Sequence, residues 1–140
     1  MNIKILLDGK LKEPYFKEGV NEFKKRILSF CDLKIIETDK LFDYCSSKSS
    51  AYIITLEIEG TMLDSPSFAN KIKQIQQEGI YSEIIFVIGG SNGLEDRVKN
   101  LSNFKFSMSK LTFLHQEAVL ILIEQIYRAF KILNNETYHK

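Results

Sequence analysis

The sequence predicts an α/β fold in which helices cover a largely parallel sheet. Residues 84–88 form an uninterrupted apolar run, which is typical of a strand buried on both faces of such a sheet. Strand-like runs and amphipathic helical stripes follow one another in the order β-α-β-β-α-β-α-β-α. The chain has 140 residues, 44% of them hydrophobic, so a single domain over residues 1–140 is expected to bury its own core.

The first three elements are predicted over residues 2–37. Residues 2–7 read as a buried strand because most of them are large and aliphatic. Pro14 suits the first turn of a helix, and Gly19 lowers the propensity of that helix without breaking its period. Residues 33–37 read as the second strand. The apolar stripe of the helix has spacings of four and three and consists of Phe16, Val20, Phe23, Ile27 and Phe30.

The middle of the chain carries a weaker pattern. Residues 38–50, which end in a serine-rich run, read as a loop with one helical turn. Residues 51–58 read as a third strand that ends in a turn at 59–60. Ser65 is expected to cap the next helix and Gly79 to end it. The buried face of this helix is predicted to be Phe68, Ala69, Ile72 and Ile75.

The last third is predicted to contain strands at 83–88 and 103–107, a short helix at 94–101 and a long helix at 114–133. A polar tail, residues 134–140, follows. The long helix is apolar around most of its circumference, whereas a surface helix exposes about half of it. We therefore expect the sheet to cover one side and a second subunit to cover the other.

Charge and cysteine usage exclude several classes of protein. The net charge of +1 gives no global signature of nucleic-acid binding, although residues 10–26 are locally rich in lysine and can be read as a phosphate-binding or a solvated face. Cys31 and Cys45 lack metal-site spacing, and two histidines are too few to predict a metal site. No apolar run spans a bilayer, and no signal-peptide pattern opens the chain, so a cytoplasmic location is expected.

Two loops follow predicted strands and are candidates for a ligand pocket. Residues 89–93, with three glycines, allow close backbone approach, but they match no phosphate-loop pattern and can equally be read as a plain turn. Residues 108–114 mix apolar and polar side chains. They suit an adenine ring or simple packing on the core. Both loops lie where an open α/β sheet binds ligands, beyond the carboxyl ends of its strands.

Several motifs occur in a specific order along the chain. They are VIGGSNGL at residues 87–94, SKLTFLHQ at 109–116, LIEQIYRAFKI at 122–132 and YHK at 138–140, with GKLKE at 9–13 and ITLEIEG at 54–60. Together they resemble the RlmH (YbeA-like) family of small SPOUT-class methyltransferases over nearly the whole chain. The resemblance implies a SPOUT-type α/β/α fold with a mostly parallel five- to six-stranded sheet. It also implies a C-terminal deep trefoil knot, roughly within residues 84–133.

The resemblance also implies an activity. Family members transfer a methyl group from S-adenosylmethionine to N3 of a pseudouridine in a 23S rRNA hairpin of the assembled ribosome. They work as homodimers packed through the last helix, without a metal. By motif match, the cofactor would be bound by Leu56, Gly89, Met108, Ser109, Lys110, Leu111, Thr112 and Phe113. The candidate catalytic residues near the RNA are Tyr138, His139 and Arg128.

The chain departs from the family pattern at three places. Leu114 replaces the proline of the usual Thr-Phe-Pro-His motif, Val119 stands where relatives often have arginine, and residues 38–50 are shorter than usual. Two other functions therefore stay open: a non-catalytic ribosome- or RNA-binding module that retains the fold, and a small nucleotide-binding α/β enzyme. Binding of S-adenosylmethionine distinguishes the proposed activity from both.

Overall fold

A computed structural model describes residues 1–139, and it confirms the predicted α/β fold. Lys140, the last residue of the predicted tail, lies outside this range. Within the described residues, one sheet contains the strands β1 (Asn2–Leu7), β2 (Asp32–Glu37), β3 (Ala51–Met62), β4 (Glu83–Ile88) and β5 (Phe104–Ser107). The helices are α1 (Pro14–Ile27), α2 (Leu41–Ser46), α3 (Ser65–Glu78), α4 (Asp96–Lys99) and α5 (His115–Leu133).

The strand order is β2-β1-β4-β3-β5, and each neighbouring pair is parallel. β4 is central: Phe86 aligns with Ile5 of β1 on one side and with Ile54 of β3 on the other. This explains why residues 84–88 are wholly apolar, since both faces of a central parallel strand are buried. The carboxyl ends of the strands consequently meet at one edge of the sheet.

Alternate residues of the strands point to two separate cores. Ile84 and Phe86 pack with α1, α3 and α5 on one face, whereas Ile85 and Val87 pack with residues of α2 and α4 on the other. This two-residue period is the geometry of any extended strand. The result is an α/β/α sandwich, as the resemblance implies.

The surroundings of α5 bear on the expected second subunit, which stays a prediction. α5 packs between α1 and α3 of the same chain, and its residues are buried or half-buried. Gly19 of α1 makes this packing close, because a Cβ at that position would lie 2.9 Å from Cδ1 of Leu120. The apolar circumference of α5 therefore does not by itself require a second subunit, since two neighbouring helices cover its flanks.

The predicted turn at residues 59–60 is wrong. β3 continues to Met62, but residues 57–60 leave the ladder, because Leu56 and Thr61 both align with Phe106 of β5. Gly60 permits this bulge: a Cβ there would lie 2.8 Å from the backbone carbonyl carbon of Lys105. Glycine in a strand interior often marks such a close approach rather than the end of the strand.

Two helix predictions also change. Asp64 caps α3, because its side chain accepts a hydrogen bond from the Ser67 backbone N–H at 2.8 Å; Ser65 instead donates to Gln125 of α5 at 2.7 Å. Gly79 ends the helix in the left-handed region, as predicted. Residues 38–50, read as a loop with one helical turn, contain the six-residue helix α2.

The connection after β5 returns across the sheet. β5 is an edge strand, yet α5 contacts the inner strands β1 and β4. The deep trefoil knot implied by the resemblance needs such a return, and the threading itself stays a prediction. No helix among residues 1–139 is long and apolar enough to cross a bilayer.

Candidate active site

A cavity of about 570 Å³ opens at the carboxyl edge of β3, β4 and β5. Its volume falls within the range of small-molecule sites. Three loops enclose it: the bulge at residues 57–60, the glycine loop after β4 and the loop between β5 and α5. The apolar walls include Leu56, Ile88, Phe106, Met108 and Phe113.

The glycine loop is closed tightly on itself. Gly90 and Gly93 form an isolated bridge, and Gly93 has a φ of +73°. A Cβ at Gly89 would lie 2.7 Å from the carbonyl carbon of Gly93, closer than a real Cβ contact allows. The absence of a side chain at Gly89 therefore brings the backbone of this loop against the cavity.

The β5–α5 loop is held by its own serines. The buried Ser107 Oγ donates to the carbonyl of Ser109 at 3.0 Å, and Ser109 Oγ accepts from the Leu111 N–H at 3.0 Å. Leu111 and Leu114 are 72% and 67% exposed. Both line the cavity. The mouth of the cavity is therefore an apolar surface that a partner or substrate can cover.

Leu114 keeps the backbone path of the proline that it replaces. Its φ is −57°, within the range of about −65° that a proline ring imposes. Val119, by contrast, is fully buried in the core, so this position cannot contact RNA here. The first departure from the family pattern leaves the cavity wall in place, and the second turns a charged position into part of the core.

The bulge at residues 57–60 contributes carboxylates that sequence reasoning missed. Glu57 and Glu59 line the cavity, and Glu57 Oε2 accepts a hydrogen bond of 2.6 Å from the buried Thr55 Oγ1. The sequence predicts a strand followed by a turn here, which places these residues outside any pocket. The signal that could have found them is Gly60, since a glycine within a strand pattern indicates a bulge.

The structure brings most of the predicted cofactor residues together. Seven of the eight line this one cavity: Leu56, Gly89, Met108, Ser109, Leu111, Thr112 and Phe113. Lys110 does not line it and is exposed. It lies between Ser109 and Leu111, which do line the cavity, and its part in binding the cofactor stays a prediction.

The candidate catalytic residues also lie together, in what we call the tail cluster: Glu124, Arg128, Tyr138 and His139. Arg128 donates to Glu124 at 3.1 Å and lies 3.2 Å from His139 Nδ1. Tyr138 donates to Glu124 at 2.9 Å, and the Arg128 guanidinium lies over the Tyr138 ring at 4.8 Å. Burial and this hydrogen bond raise the pKa of Tyr138, so its hydroxyl is a proton donor at neutral pH.

Within one chain, the tail cluster and the cavity are far apart. Ala118, near the start of α5, lines the cavity, whereas Arg128 is ten residues further along the same helix. At 1.5 Å per residue, that is about 15 Å of helix. The tail cluster therefore does not reach the cavity of its own chain.

Neither thiol is a candidate nucleophile. Burial raises the pKa of Cys31 and of Cys45 to about 11, so both are protonated at neutral pH. Among residues 1–139, no three His, Cys, Asp or Glu side chains are grouped as a metal ion needs.

Comparisons with known proteins identify relatives over the full chain. Residues 1–139 match the family described as "Predicted SPOUT methyltransferase". The "Ribosomal RNA large subunit methyltransferase H" of Finegoldia magna is 44% identical over 160 positions and 100% of both chains. The "Putative ribosomal RNA large subunit methyltransferase H" of Methanococcus vannielii is 42% identical over the same 160 positions and 100% of both chains. Because the aligned region has 160 positions and this chain 140 residues, these relatives carry residues that this chain lacks.

The fold is also similar to that of a solved enzyme. The tRNA (m1G37) methyltransferase of Aquifex aeolicus superposes with a TM-score of 0.57 at 15% identity, over 91% of this chain and 69% of that chain. At that identity the likeness concerns the fold alone.

Proposed function

Since this chain belongs to the SPOUT methyltransferase family, we propose that it transfers the methyl group of S-adenosylmethionine to N3 of a pseudouridine in a 23S rRNA hairpin of the assembled ribosome. The names of its full-length relatives support large-subunit rRNA as the substrate. The observation that carries the proposal is the cavity at the carboxyl edge of the sheet, enclosed by loops that match the family's motifs. A ribosomal substrate also accounts for the expected cytoplasmic location.

The residues around the cavity fit the proposed cofactor. The apolar lining residues Leu56, Phe106 and Met108 suit an adenine ring, and the loop backbone offers hydrogen-bonding groups for its edge. Gly89 provides the close backbone approach that a side chain would block. Glu57 and Glu59 suit hydroxyl or ammonium groups.

The chemistry is a displacement at carbon. When bound, S-adenosylmethionine supplies a methyl group activated by its sulfonium. For N3 to accept that methyl group in place of its proton, the protein would have to supply a base that takes the proton. The protein therefore has to align donor and acceptor and to remove one proton.

The tail cluster offers groups for the proton transfer. Tyr138 is a hydrogen-bond donor rather than a base, because its pKa is raised. His139 is then our candidate for the base, since imidazole is the side chain most often used for this task. Arg128 lies 3.2 Å from His139 and can orient its imidazole ring. It can also stabilise negative charge on the pseudouridine ring that is being methylated.

We further propose that these groups act on the cavity of a partner subunit. The length of α5 separates them from their own cavity, and a homodimer packed through α5 can bring the tail of one chain to the mouth of the other. The exposed Leu111 and Leu114 at that mouth support this, because a partner would cover them. The homodimer thus belongs to the proposal for a functional reason, not because α5 is apolar.

Two measurements test the function. Titration calorimetry should give a saturable affinity for S-adenosylmethionine. Ribosomes from a strain that lacks the modification should then accept one methyl group per large subunit, whereas ribosomes that carry uridine at the same position should accept far less. Methylation of both to the same extent would contradict pseudouridine as the target.

The calorimetry also separates the two other functions. A ribosome-binding module without activity would not bind S-adenosylmethionine, and a nucleotide-binding enzyme would prefer NAD or ATP. The intact cavity argues against the first, and the lack of a phosphate-loop pattern at residues 89–93 argues against the second.

A further inference from the structure

A second cleft, of about 340 Å³, lies between the β1–α1 loop, α1 and the end of β2. It shares no lining residue with the cofactor cavity. Three lysines line it: Lys10 from the loop, and Lys17 and Lys24 from α1. Asn21 lies between the two helical lysines, and Glu37 is its one carboxylate. We call it the lysine cleft.

The charge of the lysine cleft is not balanced by the chain. Among residues 1–139, none of the three lysines has a carboxylate within ion-pair distance, whereas Lys4, Arg26, Arg97, Arg128 and Lys131 do. Glu37 accepts a hydrogen bond from the Leu11 N–H at 2.7 Å and keeps its charge, so three lysines and one carboxylate give the lining a net charge of +2. A cleft with such an excess of positive charge attracts anions.

The cleft is also held in shape. Lys17, Asn21 and Lys24 have spacings of four and three, which places them on one face of α1 over about 10 Å. The loop that carries Lys10 is fixed at three backbone N–H groups. Leu11 donates to Glu37, and both Lys12 and Glu13 donate to Gln116 Oε1, at 2.6 and 3.1 Å.

The same hydrogen bonds connect the lysine cleft to the cavity. Gln116 lies in the first turn of α5, next to His115, which lines the cavity. The loop also passes close to the cavity at Gly9, where a Cβ would lie 3.8 Å from His115 Nε2. The β1–α1 loop therefore borders both sites, and an RNA strand bound in the cleft would lie close to the cavity.

We propose that the lysine cleft binds the phosphodiester backbone of the RNA that carries the target base. The proposal rests on the proposed function, because it takes ribosomal RNA as the substrate. Lysines are flexible point charges that contact phosphates without reading bases, and the Asn21 amide can donate to a phosphate oxygen. Their spread along two helical turns suits successive phosphates of a chain better than a single ion.

The test compares two double variants with equal loss of charge. Lys17→Gln with Lys24→Gln empties the cleft of two charges, and Lys25→Gln with Lys73→Gln removes two exposed lysines that do not line it. Binding to large ribosomal subunits and to protein-free 23S rRNA is measured over a range of salt concentrations. The cleft variant should reduce the slope of log affinity against log salt by about 1.4 to 1.8, because each of the two lost phosphate contacts removes about 0.7 to 0.9. The control should change it little, and affinity for S-adenosylmethionine should be the same in both.

Several results would overturn the inference: equal slopes for the two variants, no binding of the unmodified protein to either RNA, or a loss only on assembled subunits. The last would indicate an acidic ribosomal protein as the partner. The proposed function has a separate readout. If the protein methylates ribosomes but the slopes are equal, only the cleft assignment fails. If the protein shows no methylation of ribosomes, and the cleft variant still has the smaller salt slope, the cleft assignment stands and the proposed function fails.

Discussion

Gly89 and Gly90 are adjacent and both line the cavity, but only one of them depends on the absence of a side chain. A Cβ at Gly89 would meet the backbone of Gly93 at 2.7 Å, whereas a Cβ at Gly90 would meet atoms of Asp8 no closer than 3.4 Å. Neither has a positive φ. Gly89 is therefore required because two stretches of backbone lie too close together to admit a Cβ. Backbone cannot move aside as easily as a side chain.

Gly89→Ala should lower the affinity for S-adenosylmethionine by about tenfold or more, which corresponds to about 1.4 kcal/mol, because the loop must move away from the cavity. Gly90→Ala is the matched control and should stay within about threefold, or about 0.7 kcal/mol. Titration calorimetry measures both, with thermal unfolding as a check on folding. Equal effects of the two substitutions would contradict the role given to Gly89.

Leu114 and Leu111 offer a second comparison between similar residues. Leu114 has the φ of a proline, and no backbone hydrogen bond from its N–H is found in the described part of the chain. Leu114→Pro should therefore stabilise the protein by about 0.4 to 1 kcal/mol, by restricting the unfolded chain. Leu111→Pro should destabilise it, because it removes the bond from the Leu111 N–H to Ser109. Thermal unfolding decides, and a lower Tm for Leu114→Pro would show that the loop does not accept the proline.

At the scale of elements, the sequence predicted the strands that are regular and failed where a strand is not. The bounds of β1 and β4 were correct because the end of each apolar run coincides with the end of pairing. The predicted strand at 51–58 is shorter than β3, because Glu59 and Gly60 resemble a turn. Pairing with β5 resumes at Thr61. This contact joins residues far apart in the chain, so the local hydrophobic pattern does not predict it.

The candidate site was predictable to the same degree. The loops after β4 and β5 are predicted from their place beyond the carboxyl ends of two strands and from the family's motifs in them, and seven of the eight predicted residues line the cavity. The exception, Lys110, and the missed Glu57 both depend on the direction in which a loop residue points. Irregular backbone has no period from which that direction can be read.

Helix α3 permits a test of its termination. Gly79 has a φ of +70°, and nothing lies within 4 Å of where a Cβ would be. Gly79→Ala should therefore cost about 1 kcal/mol through backbone strain alone, and Gly79→Asn less, because asparagine tolerates this conformation. Urea denaturation measures both. If alanine were as stable as glycine, the left-handed end of the helix would not be maintained in solution.

At the scale of the whole molecule, the central question is how the tail cluster reaches a cavity. The start of α5 lines the cavity, and Arg128 lies ten residues after the lining residue Ala118. One subunit therefore contains both the cavity and the tail cluster, but its tail cluster does not reach its own cavity. In the dimer that we propose, each cavity would be paired with the tail of the other chain. The fold could be predicted from one chain, whereas this arrangement depends on a second.

Mixed dimers test the exchange of tails. A chain truncated after Asn135 should bind S-adenosylmethionine but not methylate, and Gly89→Ala should be inactive at low cofactor concentration. Co-expressed in equal amounts, they should recover about a quarter of the unmodified activity, because half of the dimers are mixed and each has one complete site. No recovery would mean that the tail acts on its own subunit or not at all.

The most direct test of the account is mass spectrometry of 23S rRNA from the source organism with and without the gene for this protein. The account predicts that deletion removes one methyl group from a single pseudouridine, and that the unmodified gene restores it while the chain truncated after Asn135 does not. An rRNA modification pattern identical with and without the gene would contradict the proposal that this protein methylates the large ribosomal subunit.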